Sequence, residues 1–367
     1  MRVLFYDTAY LGHHAIWMAE SVRALVDEQT GAKVLYAFPH TLPVCATHVA
    51  YREPASHKYL RRIQRHTGLP VYTAAKWRAI SKLARQHLVD RVILMYLDDL
   101  LNPTFVPTIP FQWVGVYFHP RFIRKTSEPS PLGTLRSASC EAIYVLDDGV
   151  RADLAKQTGK PVFKIPDFCP TQCSGATART KLLSDQSCGR PIVGIIGPVT
   201  SHKNIGGILS VAKSRHDLHF LIAGPSFPRS VTKHERELLA DAVRQSNVTA
   251  FLEHLPHDEL NELTSMCSVH FAAYHDFLHS SNKLIRSAVW RIPLVVSEGG
   301  YMAESVRNHR MGMVCDPSDP ESISAAIDNA LSMDRGHRGW DEYADANSLE
   351  ALRSALRPCG LRDVIHA

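Results

Sequence analysis

The sequence predicts an α/β protein of two successive, doubly wound domains, on three observations. Short apolar runs rich in Val, Ile and aromatic residues alternate with amphipathic segments along almost the whole chain, the pattern of parallel strands covered by helices on both faces. The alternation stops once, between Pro166 and Pro191, where CPTQCSGATARTKLLSDQSCGRP is rich in Ser, Thr, Gly and Cys, and then begins again. At 367 residues the chain also exceeds one average domain.

In order, Arg2–Asp7 reads as a strand, followed by a Gly-containing loop, Thr8–His13. The helix after it places Ile16, Ala19, Val22, Leu25 and Val26 on one side. Lys33–Phe38 is a second buried strand, and residues 39–55, with Pro39, Pro43 and Pro54, read mostly as loop. Helices are expected near 56–67 and 75–88, separated by Gly68 and Pro70. Strands at Arg91–Leu97 and Gln112–Phe118 flank a Pro-rich turn. Ala142–Leu146, a helix from Gly149, and Val162–Ile165 complete a first domain assigned to 1–170, with Asp147 and Asp148 read as turn and helix start.

Residues 171–190, with little periodicity, read as a linker. A second domain, 191–335, has strands at Ile192–Ile196, His219–Ala223, Val248–Leu252, Val269–Tyr274, Pro293–Ser297 and Met311–Cys315. Its helices fall at Asn204–Lys213, 232–246, His257–Met266, Lys283–Arg291 and Asp319–Leu331, the last capped by Ser318 or Asp319. A helical stretch from Asp341 to Leu356 lies in a closing segment, 336–367, expected to pack back on the first domain.

Composition narrows the class. Hydrophobic content of 45% and charged content of 21% are those of a soluble globular protein. No apolar stretch approaches the roughly 20 residues of a membrane helix, and the N-terminus lacks a signal-peptide cleavage pattern, so a cytoplasmic location is expected. The eight cysteines are scattered without a C-x-x-C, which favours free thiols over a metal site. Charge is uneven. Residues 1–185 carry 23 Lys and Arg against 15 Asp and Glu, and the excess is concentrated between Tyr51 and Arg91. There HKYLRRIQRH interleaves Tyr59, Leu60 and Ile63 with cations, a pattern suited to peripheral contact with an anionic membrane. No nucleic-acid recognition motif accompanies it.

The stretch Tyr274–Glu304 combines strand, polar loop, helix and strand. The loop, His275–Asn282, is built of small and polar residues and feeds the helix that begins at Lys283. Free N–H groups at such a start favour an anion, and Lys283 and Arg286 add positive charge. A dinucleotide enzyme needs G-x-G-x-x-G after its first strand. The corresponding loops here are TAYLGHH and GPVTSHKNIGG, and neither fits.

Longer stretches carry a family pattern. GIIGPVTSHKNIGGILSVAK, HFLIAGP, VTAFLEHLPHDELNELTSMCSVHFAAY, KLIRSAVWRIPLVVSEGG and MGMVCDPSDPESISAAI in the second half, with YVLDDGVRADLAKQTGKPVFKIPDFCP in the first, resemble a glycosyltransferase of the GT-B fold, in particular glycosyltransferase family 4. The resemblance implies two Rossmann-like domains facing a cleft. It implies transfer of a sugar from a UDP- or GDP-linked donor to a glycan, lipid-linked or small-molecule acceptor. Retention without a metal or other cofactor is expected, with attack on the same face as the leaving group and no enzymic nucleophile.

The same resemblance assigns residues. Gly12 lies in the loop that approaches the donor phosphates, with His13 and His14 beside it. His119, closing QWVGVYFHP, stands near the transferred sugar as the catalytic candidate. Lys203 would neutralise the diphosphate, and the amides of Ser280, Ser281 and Asn282 would cradle its distal phosphate, beside Lys283 and Arg286. Glu253, His254 and Leu255 would flank the base. Gly197, Thr200 and Glu304 are secondary candidates. Three positions depart from the family: Leu278 and Arg286 stand where a Glu-x7-Glu pair is usual, and Pro198 follows Gly197 where an Arg is usual. Arg286 is expected to bind the diphosphate through its fork of donors, replacing the charge missing at Pro198. The alternatives are a non-catalytic GT-B protein that binds a glycan or partner, and a sugar-nucleotide epimerase.

Overall fold

The computed structural model describes residues 1–8, 14–26, 32–125, 130–226 and 230–356. It forms two units: Met1–Asp167 together with the chain from Ser348, and Phe168–Asn347. The first is built on seven strands, β1 (Arg2–Tyr6), β2 (Lys33–Phe38), β3 (Thr47–Ala50), β4 (Arg91–Leu94), β5 (Gln112–Tyr117), β6 (Cys140–Val145) and β7 (Val162–Lys164). They form one parallel sheet in the order β3-β2-β1-β4-β5-β6-β7. The second is built on β8 (Ile192–Ile196), β9 (His219–Ala223), β10 (Val248–Phe251), β11 (Val269–Ala272), β12 (Leu294–Ser297) and β13 (Gly312–Cys315). These are parallel too, in the order β10-β9-β8-β11-β12-β13.

Both sheets are doubly wound. The order reverses beside the first strand of each, between β1 and β4 and between β8 and β11. In such sheets the loops leaving the two strands at the reversal part to opposite faces, so a crevice opens at their carboxyl ends. The sheet centres are fully apolar, as expected for strands buried on both faces. Val3, Leu4 and Phe5 of β1, and Val193, Ile195 and Ile196 of β8, are buried.

Several elements differ from expectation for identifiable reasons. The strand β3 lies inside 39–55, where loop is expected. It is short, with only Val49 buried, and is held by pairing to β2 and by His48 stacked on Tyr36 at 5.0 Å. The second basic-region helix begins at Val71 rather than near 75, because the Gln64 side chain accepts from the amides of Tyr72 and Thr73, both at 3.0 Å. That cap comes from the preceding helix, Ser56–Thr67.

The expected linker, 171–190, contains a helix, Ala178–Ser187, started by a capping box between Thr177 and Thr180. Its buried residues are Thr180, Leu183 and Ser187, so one Leu carries its whole apolar face and no periodicity shows in the sequence. The closing segment is also divided. Helix Gly339–Ala346 stays in the second unit, with Trp340 and Tyr343 in the cluster that contains Leu284 and Ile285. Helix Leu349–Leu356 belongs to the first unit, against helix His14–Val26.

Candidate active site

In the second unit the crevice gathers three cations. Lys203 ends a short 3-10 turn, Ser201–Lys203, after β8. Its Nζ lies 3.4 Å from the Ile196 carbonyl oxygen and 5.5 Å from the centre of the Tyr274 ring. This closeness depends on Gly197, whose φ is +101° and where a Cβ would lie 2.9 Å from Nζ. Burial pulls the Lys203 ammonium down to about 8.

Lys283 and Arg286 occupy the first turn of helix Lys283–Trp290, and both are buried. Burial first, then the neighbouring Arg286 and Lys203, pushes the Lys283 ammonium well below the ordinary lysine range. Among the described residues the Arg286 guanidinium bonds only neutral groups. Its Nε donates to Asn282 Oδ1 at 2.7 Å, Nη1 to Asn261 Oδ1, and Nη2 meets His257 Nε2 at 3.0 Å. Burial and the adjacent Arg286 lower His257 to about 4, so its neutral ring accepts that bond.

None of the three cations has a carboxylate partner among the described residues. Holding an ion away from water costs several kcal/mol unless a counter-ion offsets it, and none of the described residues supplies one. The adjoining loop, 275–282, is fixed at its start and its middle: His275 donates its amide to the His202 carbonyl at 2.8 Å, and Leu278 accepts from the Tyr301 amide at 3.2 Å. Next to the cations the Ser280 hydroxyl is buried with no hydrogen-bond partner. The amides of Ser280 and Ser281 likewise find no acceptor among the described residues. Three cations, an unpaired buried hydroxyl and open amides at a helix start form a site for an anion with several oxygens.

The other assigned residues are placed as follows. Ser281 Oγ receives the Lys283 amide at 3.4 Å, and Asn282 is the residue before the helix, bonded to Arg286. Thr200 precedes the 3-10 turn and pairs with its His202. Glu253 is exposed and accepts from Arg179 at 2.7 Å, His254 is exposed, and Leu255 packs against the cluster around Leu183. Glu304 is exposed on helix Gly300–His309. Gly12 and His13 lie outside the described residues. Among the described residues no group of His, Cys, Asp or Glu is arranged to hold a metal ion.

In the first unit the crevice gathers carboxylate–histidine pairs instead. After β5, His119 Nδ1 lies 2.8 Å from Asp98 Oδ1, and Asp98 also accepts the amides of Phe118 and His119, each at 2.9 Å. One carboxylate thus fixes both the backbone and the ring of His119. The ring lines a cavity of about 310 Å³ with Asp98, Tyr117 and Arg121. After β1, His14 Nδ1 lies 2.8 Å from the buried Asp7, and its ring meets Tyr96 edge-on at 5.0 Å. Asp147 and Asp148 form the expected turn and helix start. Asp147 caps the 3-10 turn Asp148–Val150 by accepting the Gly149 amide at 2.9 Å. It is also clamped by Arg124 with two bonds, at 2.6 and 2.9 Å, while Asp148 pairs with Arg151 at the surface.

Sequence reasoning missed Asp98, His257 and Asn261. Asp98 follows directly on the expected strand Arg91–Leu97, at the carboxyl end of a strand beside the reversal. His257 and Asn261 are four residues apart on one helix, Pro256 preceding it, so they share a face toward Arg286.

Residues 184–346 match the sequence model of the family described as Glycosyl transferases group 1. A search of curated proteins finds no match. Among solved structures the chain is similar to a sucrose-phosphate synthase from Thermosynechococcus elongatus, at 15% identity and a TM-score of 0.69, covering 100% of this chain and 99% of that one. A UDP-forming α,α-trehalose-phosphate synthase from Burkholderia xenovorans is similar at 13% identity and a TM-score of 0.72, covering 100% and 99%. WaaG, a glycosyltransferase involved in lipopolysaccharide biosynthesis, is similar at 13% identity and a TM-score of 0.66, covering 98% of each chain. At these identities the likeness concerns the fold, and the family match concerns the unit that holds the three cations. Residues 184–346 are accordingly similar to a glycosyl transferases group 1 domain, and the chain has the two-domain α/β fold of the GT-B glycosyltransferases.

Proposed function

We propose that the protein moves a sugar from a nucleotide-diphosphate donor, UDP- or GDP-linked, to a glycan, lipid-linked or small-molecule acceptor, with retention and without a metal. The observation that carries this reading is the set Lys203, Lys283 and Arg286, three cations in one crevice with no carboxylate partner among the described residues. A leaving diphosphate gains negative charge as the sugar bond breaks, and fixed cations and N–H donors stabilise that charge most when water is excluded. Arg286 acts mainly as a framework cation. Three of its five N–H donors hold Asn282, Asn261 and His257, so it sets the start of the phosphate-binding helix while its charge faces the ligand. The first unit supplies the acceptor side, with His119 oriented by Asp98 at the reacting hydroxyl. The basic region 51–91 supports peripheral contact with an anionic membrane.

The test is calorimetry with UDP and GDP on the wild-type protein and on Arg286→Ala. The variant is expected to bind its nucleotide more weakly by about 1–3 kcal/mol, the scale of a lost charged hydrogen bond. Equal affinity in the two proteins removes Arg286 from the site. No binding of either nucleotide to the wild-type protein removes the donor reading, and favours a GT-B protein that binds glycan without turnover.

A further inference from the structure

A second cavity, of about 580 Å³, lies in the first unit and is lined by none of the crevice residues. It runs between helix Val71–Gln86 and the segment 105–109. Arg78, Lys82 and Arg85 line one side. Their i, i+4, i+7 spacing places them on one helix face, over about 10 Å of axis. All three are exposed, and among the described residues no acidic side chain lines the cavity and none of the three side chains makes a hydrogen bond or ion pair. The facing wall is apolar, formed by Phe105, Val106, Pro107 and Ile109, and Val106 is 55% exposed.

This wall is fixed in place. Thr134 Oγ1 donates to the Phe105 carbonyl at 2.9 Å, and Ser137 Oγ to the Pro107 carbonyl at 3.0 Å. Asn102 Oδ1 accepts from the Thr104 amide and hydroxyl and from the Phe105 amide. Gly133 lets the segment approach, since a Cβ there would lie 2.3 Å from the Pro103 carbonyl oxygen. Beneath the cavity the buried Trp77 donates to the Leu100 carbonyl at 3.1 Å.

We infer that this groove takes the headgroup of an anionic phospholipid within a bilayer, with Val106 entering the apolar side of the interface. The inference deepens the proposed membrane contact and rests on it. A small free anion is held best by donors that converge on one point. These cations are instead strung along a helix opposite an apolar wall, which suits a surface that is charged and greasy side by side. The neighbouring helix, Ser56–Thr67, is a second basic and apolar stretch, lined up against the first turn of helix Val71–Gln86 and outside the groove itself. It packs on helix Val71–Gln86 and exposes Tyr59 and Ile63 among Lys58, Arg62 and Arg65. Each Lys or Arg near an anionic surface contributes about a fivefold gain in partitioning.

The experiment is flotation of the full chain with vesicles of phosphatidylcholine, with or without phosphatidylglycerol. Binding is expected only with phosphatidylglycerol. The triple variant Arg78→Gln, Lys82→Gln, Arg85→Gln is expected to lose about a hundredfold in partitioning, and Val106→Asp to weaken it separately, with unchanged melting and nucleotide binding. A control replaces Lys58, Arg62 and Arg65 by Gln. Should only the control lose binding, the membrane contact stands and the groove is overturned. Should the wild-type protein ignore anionic vesicles, both fall. Binding of free glycerol phosphate as tight as that of vesicles also overturns the groove as a lipid site.

Discussion

The two units share a strand order around their reversals, yet the carboxyl ends of their central strands carry opposite chemistry. In the first unit His14 and His119 each face a carboxylate, Asp7 and Asp98. In the second, Lys203, Lys283 and Arg286 pair with no carboxylate among the described residues, and the histidine among them, His257, is held neutral. These two histidines of the first crevice thus have carboxylate partners within the protein, whereas the described residues give the cations of the second none. A doubly wound sheet therefore fixes where a ligand binds, while the loops decide its charge.

That contrast can be broken most directly in the second unit. Replacing Lys203 and Lys283 together by Met is expected to reduce nucleotide affinity by about a hundredfold or more in calorimetry. The same variant is expected to melt at or above the wild-type temperature, because it removes a half-buried and a buried ammonium that no described carboxylate offsets. A large loss of stability would show that these lysines hold the fold rather than a ligand. The mirror experiment in the first unit is Asp98→Asn. It is expected to lower kcat by about ten- to a hundredfold, leave nucleotide affinity unchanged, and cost some stability, since Asp98 serves two backbone amides and a ring.

The smallest effect is one of pH. Because Lys203 titrates near 8 in the unliganded protein, nucleotide affinity is expected to fall by up to about tenfold between about pH 7 and about pH 9. Lys203→Met should flatten this profile. Folding moves the other way. The ordinary lysine value is 10.5, so between about 8 and 10.5 the unfolded chain holds the proton that the folded chain has lost. The destabilisation caused by burying this ammonium is thus greatest below 8 and fades as pH rises through that window.

Much of the fold was legible because strands buried on both faces leave continuous apolar runs. Lys33–Phe38, Ile192–Ile196 and His219–Ala223 were expected at the residues where they occur. Elements stabilised by one partner rather than by an apolar face were hidden. Thr47–Ala50 depends on its ladder to β2, and Ala178–Ser187 on a two-threonine cap and a single leucine. For the site, the sequence revealed the cations and the small-residue loop, since charge and helix-start chemistry are local. It did not reveal their surroundings. That Arg286 bonds Asn261 and His257 depends on residues 25 and 29 positions away, and that Asp98 orients His119 depends on pairing between β4 and β5.

The chain leaves the first unit after Asp167 and comes back to it at Ser348. During synthesis the seven strands of that unit are therefore made before the helix Leu349–Leu356, which covers helix His14–Val26. Roughly half the chain must emerge in between. The nascent first unit waits with one helix face open, and a ribosome stalled in the second unit strands it in that state. Chaperone engagement should accordingly be centred on helix His14–Val26 until the last helix arrives.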